Sequence, residues 1–162
     1  MERCAKHRWV GKKSGPNPTD RGKEGTKQSV AVEGQGMPVS VVIAGANCPD
    51  LLLLAETLDA IIVTPPQQAE GTHPNVCLDA GYDYPRCYIE VAERGYISHI
   101  RSRKEESAAK RSDATYRPRR WVVEAGHSWL NRFRKILVSF EKLAVTRLAL
   151  LHFACAYSYS RG

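Results

Sequence analysis

The segment Arg117–Ile136 reads RPRRWVVEAGHSWLNRFRKI, and the rest of the chain arranges itself around it. One acid, Glu124, sits among Arg117, Arg119, Arg120, Arg132, Arg134 and Lys135, with Trp121, Val122, Val123, Trp129, Leu130 and Phe133 interleaved. At helical spacing Glu124, His127 or Ser128, Asn131 and Lys135 recur along one face, while Leu130, Phe133 and Leu137 fall on another. A helix that packs by its apolar face and shows one carboxylate inside a basic rim suits metal-assisted work on a phosphate backbone. The same spacing also describes an ordinary amphipathic helix with a solvated charged face, which is the commoner case. Periodicity extends this helix over about 121–140, and a second helix follows over about 142–159.

Upstream, residues 101–120 are basic and polar and predict a loop with a helical fragment. Before them YISHIR is a short strand, and PRCYIEVAERGY is an amphipathic helix stopped by Gly95. Val76-Cys77-Leu78 is a short buried strand that ends at Asp79 and turns at Gly81. Residues 64–74 carry no period and predict a loop. Pro49 or Asp50 opens a helix through DLLLLAETLDAII, since proline and an acid both suit a first turn. KQSVAVE and MPVSVVIAGA, joined through GQG, predict a hairpin. Residues 1–27 are rich in Gly, Pro and Lys and predict a loop or extended arm. The order β-β-α-β-α-β-α-α, without repeats, predicts an α/β fold with a mixed sheet flanked by helices.

With 162 residues, the chain is long enough for one domain with a sizeable core. Its net charge of +7 favours an acidic partner, nucleic acid through phosphate neutralisation or an anionic membrane surface. Five cysteines, without a C-x-x-C pair, argue against a disulfide framework or a zinc ribbon and for a reducing compartment. MERCAKHRW lacks the apolar centre of a secretory signal, and the apolar run 143–157 is broken by Arg147 and His152. These features predict a cytoplasmic chain with no membrane span.

Asp79 is the first candidate for chemistry, because α/β folds place ligands at the carboxyl ends of buried strands. The competing role is that Asp79 or Asp83 caps the helix that follows. If Asp79 met Glu124, the pair would suit Mg²⁺, which takes few protein carboxylates. His73, His99 and His152 are isolated, and no phosphate-cradling G-x-x-x-x-G-K-[ST] segment is present. Trp121, Trp129 and Tyr116 could stack on unpaired bases, although Trp129 fits a core position better.

Five segments occur in one order and spacing: GPNPTDRGKEGTK, VIAGAN-x-x-D, CLDAGYD, RPRRWVVEAGHSWLNRFRKI and LALLHFACAYSYSR. Together they resemble the catalytic domain of bacterial insertion-sequence transposases of the DDE type, over nearly the whole chain. The resemblance implies an RNase H-like fold in which three acids hold two Mg²⁺ (or Mn²⁺) ions. It implies DNA cutting at transposon ends and joining to target DNA, with double-stranded DNA as substrate. It further implies a homodimer or higher assembly and association with the nucleoid. The second acid maps to Asp79 in D-A-G-Y-D, and the third to Glu124 in W-V-V-E. Arg119, Arg120, His127, Asn131, Arg132 and Lys135 become the DNA-facing set.

There are departures from the family pattern. The family's first acid projects onto Met1, where neither a strand nor a D-G or D-S pair stands. Cys48-Pro49 replaces an Arg-His pair, and Ala125-Gly126 an Arg-Thr pair. The expectation is a basic arm over 1–27 and a catalytic domain over 28–162 that is truncated at its amino terminus and lacks the first strand. The alternative is a non-catalytic DNA-binding fragment that regulates a full-length transposase.

Overall fold

The computed structural model describes residues 13–19, 21–63, 73–100, 111, 120–137, 141 and 143–160. Its strands are β1 (Gly15–Pro16), β2 (Glu24–Val32), β3 (Pro38–Gly45), β4 (Asn75–Leu78) and β5 (Ile97–Ile100). Its helices are α1 (Leu54–Asp59), α2 (Pro85–Ala92), α3 (Arg120–Asn131), α4 (Arg134–Leu137) and α5 (Ala144–Tyr159). The fold is mixed α/β, with both antiparallel and parallel strand pairs.

The hairpin is the frame. β2 and β3 pair antiparallel from Thr26↔Gly45 to Val32↔Pro38, with a register shift at Ala31/Val32. Their turn is closed by Glu33, whose Oε1 accepts from the amides of Gln35 and Met37 at 2.9 and 3.1 Å. Gly36 takes φ +91° in this turn, a conformation that glycine adopts without penalty. β2 begins at Glu24, ahead of the predicted start, and Gly15–Pro16 pairs with it where a loop was predicted.

Alternation along β3 divides its neighbours between two faces. On one face Ser40 Oγ donates to the Thr57 carbonyl at 2.7 Å, and Thr57 Oγ1 hydrogen-bonds Ser29 Oγ at 2.8 Å, so α1 is tied across both strands. On the other face Val41 and Ile43 pack with Leu130, Ile136, Leu151 and Ala154 from α3, α4 and α5. A second core joins Leu54 and Leu58 of α1 to Cys87 and Val91 of α2, with Val76 and Leu78 of β4 against them.

β4 and β5 pair in parallel through the α2 crossover, which Gly95 terminates at φ +76°. Where the strand order predicted one mixed sheet, the strands among the described residues form an antiparallel set, β1-β2-β3, and a parallel pair, β4-β5. The hairpin pairs locally and the parallel pair closes through its own helix; α1 packs on the hairpin on one side and on α2 on the other. The helix predicted from Trp121 breaks after Asn131. Phe133 turns inward there and meets Tyr157 edge-on, 5.8 Å between ring centroids. The amides of Arg132 and Phe133 bond three residues back, the tight pattern common at helix ends. The long helix predicted from Pro49 is a 3₁₀ turn (Asp50–Leu52) followed by the six-residue α1.

Candidate functional site

Asp79 directly follows β4 in extended conformation and opens a 3₁₀ turn over Ala80–Tyr82. Its Oδ1 accepts from the Gly81 amide at 2.8 Å, so the carboxylate caps that turn while remaining exposed. This turn packs against the Asp50–Leu52 turn that follows β3. Tyr82 lies at the junction, and its phenol is pushed up to about 12, first by burial and then by the charges of Asp50, Asp79 and Cys87. Lys27, at the same end of β2, places Nζ 3.1 Å from Asp50 Oδ1 and donates to the Cys48 carbonyl at 3.1 Å. Asp50 and Lys27 are therefore neighbours of the Asp79 turn. Both residues lie in segments that carry the family resemblance, Asp50 as the acid of VIAGAN-x-x-D and Lys27 as the last residue of GPNPTDRGKEGTK, but the sequence reading assigned neither of them to the site.

Glu124 lies elsewhere. α3 crosses the hairpin turn at its first half. A Cβ on Gly126 would stand 2.5 Å from Val32 Cγ1 and 3.2 Å from the Gly36 carbonyl oxygen, and one on Gly36 would meet the Val122 carbonyl oxygen at 3.2 Å. Val122 and Leu130 are buried, while Glu124, Ser128 and Asn131 are exposed and His127 is half-buried. Up to Asn131 the two faces expected from spacing are thus present, while Phe133 and Lys135 fall beyond the end of α3. Glu124 stands near the hairpin turn, on the Val41–Ile43 side. Asp79 stands with Asp50 beyond the opposite end of β3, on the α1 side. Eight strand residues separate these ends, a span of roughly 23 Å.

The basic residues cluster after Glu124. Arg132, Arg134 and Lys135 are exposed around the α3–α4 junction, and the Arg132 guanidinium lies 4.8 Å from the Trp129 ring centroid. Trp129 is half-buried, which fits its expected packing role. Arg120 is the first residue of α3, while Arg119 and Tyr116 lie outside the described residues.

A family model described as Transposase DDE domain matches residues 3–159, almost the full length. The chain belongs to this transposase family. It is also 35% identical over 153 residues to a Burkholderia cepacia protein that carries the name of transposase for insertion sequence element IS402. That alignment covers 91% of this chain and 69% of the relative. No solved structure matches.

Membership in a DDE family implies acids gathered around metal ions. Among the described residues no group of three or more His, Cys, Asp or Glu side chains stands close enough to hold a metal ion. Asp79 and Glu124 are held at opposite ends of β3, so the donor set as folded here does not fit a two-metal centre. Among the described residues, too, no helix is long and apolar enough to cross a membrane.

Proposed function

We propose that this chain is the catalytic domain of an insertion-sequence transposase acting on double-stranded DNA. The family match across residues 3–159 carries the proposal. In this reading Asp79 and Glu124 are the acids of an RNase H-like, Mg²⁺- or Mn²⁺-dependent centre that cuts at transposon ends and joins the freed end to target DNA. Arg119, Arg120, His127, Asn131, Arg132 and Lys135 hold the phosphate backbone, and the working form is a dimer or larger. The exposed cations at the α3–α4 junction can take phosphates without rearrangement. Cleavage requires a form in which α3 brings Glu124 to Asp79.

The separation of the two acids favours a second reading, a DNA-binding member of the family that does not cut and that competes with an active transposase. One assay tests both. The chain is incubated with Mg²⁺ or Mn²⁺ and a labelled duplex carrying the insertion-sequence ends. Cleavage that disappears in Asp79→Asn and in Glu124→Gln is the expected result of the catalytic reading. Cleavage that persists in both variants contradicts the assignment of these residues, and salt-sensitive binding without cleavage supports the second reading.

A further inference from the structure

Asp50 and Asp79 set two exposed carboxylates side by side at one end of the hairpin. A DNA phosphate brought to that end is repelled by both unless a cation stands beside it. Arg132, Arg134 and Lys135 are on the opposite face of the hairpin, with α3 and α4, and charges in solvent are screened beyond about 8 Å. On α2, Arg86 engages Glu90 and Arg94 engages Asp59, each at 2.6 Å. Lys13 reaches Glu56 of α1. Lys27 is the cation that the fold brings to Asp50 itself, with Nζ 3.1 Å from Oδ1. A lysine ammonium carries three hydrogens. One meets Asp50 and one the Cys48 carbonyl, and among the described residues nothing takes the third. The side chain is 30% exposed, so a solute can reach that hydrogen.

We propose that Lys27 binds a phosphate of the DNA backbone at the Asp79 end of the hairpin. The inference rests on the reading of the chain as a transposase acting on DNA, and adds a contact remote from the α3–α4 junction. Its place is set by the sheet and not by a loop, since Lys27 pairs with Ala44, the residue before the last of β3. With two partners already holding the ammonium, little of the rotamer freedom of a surface lysine is left to lose on binding. The third N–H donates to a non-bridging phosphate oxygen, and the Asp50 contact stays in place. Removing the ammonium would leave that phosphate facing Asp50 and Asp79 alone.

Duplex affinity of the full chain, measured against salt for the parent, Lys27→Met and Lys27→Arg, tests this. Methionine keeps an unbranched apolar stem and removes the charge. Lys27→Met should weaken binding roughly tenfold at about 0.1 M salt and make the log–log slope shallower by about 0.9, the share of one phosphate contact. Lys27→Arg should keep the parent slope, which a loss of packing alone would not explain. Should Lys27→Met fail to fold, Lys27→Gln gives the same readout in a chain whose thermal transition matches the parent. A slope left unchanged by the uncharged variant overturns the contact and makes Lys27 a structural ion-pair partner. If Arg132→Ala still makes that slope shallower, the DNA reading survives the loss of this contact. Affinity of the parent that is indifferent to salt overturns both.

Discussion

At Gly126 the helix that carries Glu124 touches the hairpin without room for a methyl group. The nearest neighbours are Val32 Cγ1 at 2.5 Å and the backbone oxygen of Gly36 at 3.2 Å. Alanine would gain up to about 1 kcal/mol in helix propensity, but the contact forbids its Cβ unless α3 lifts from the turn. Overpacking typically costs 1–3 kcal/mol, so Gly126→Ala should lower urea-measured stability by about 1 kcal/mol net. The Val32→Ala background should return part of that loss. This contact occurs where the family pattern has threonine, and only the three-dimensional neighbourhood explains why glycine suits this chain. Asp79 was partly legible: an aspartate at a strand end suggested a cap for the following helix, but its Oδ1 accepts from Gly81 and caps the intervening 3₁₀ turn, while α2 begins after Tyr84 without a side-chain cap. Tyr82 was not legible at all, because its burial depends on the Asp50 turn packing against it. Its folded-state pKa is raised from 10.0 to about 12, so the neutral phenol is the stabilised form. That stabilisation is intact below pH 10 and is lost as pH rises from 10 through about 12. Tyr82→Phe should flatten this part of the stability–pH curve relative to the parent, as measured by denaturant titration.

At the scale of elements, α5 anchors the larger core. Leu151 is completely buried against Val41, Ile43 and Leu130. Leu151→Ala should therefore cost about 2–5 kcal/mol, read as a lower denaturation midpoint at constant slope. Arg147 on the same helix is partly buried, its pKa is lowered by that burial, and among the described residues its Nε has no hydrogen-bond partner. Arg147→Met keeps the volume and removes the unsatisfied group, and it should raise stability by about 1 kcal/mol. The hairpin, the strand at Val76–Leu78 and the Gly95 stop were all visible from period and turn chemistry, because each is decided within a few residues. The break between α3 and α4 was not. Helical spacing continues through Arg132, and the break falls where Phe133 packs against Tyr157 of a helix distant in sequence. Strand order likewise predicted one mixed sheet, since sequence order does not encode whether β2 and β4 become neighbours.

Across the whole molecule, the charge and the acids are distributed differently from what a linear motif suggests. D-A-G-Y-D and W-V-V-E look like two parts of one site, yet β3 lies between them, and the lysine and aspartate closest to Asp79 come from β2 and from the turn after β3. The cations after Glu124 form a surface of their own at the α3–α4 junction. If, as proposed, this surface engages the phosphate backbone of DNA, duplex affinity as a function of salt reads it out. Log affinity should fall linearly with log salt, and Arg132→Ala and Lys135→Ala should each make the slope shallower by about 0.9. Affinity that does not change with salt, or a slope that neither substitution alters, would contradict it.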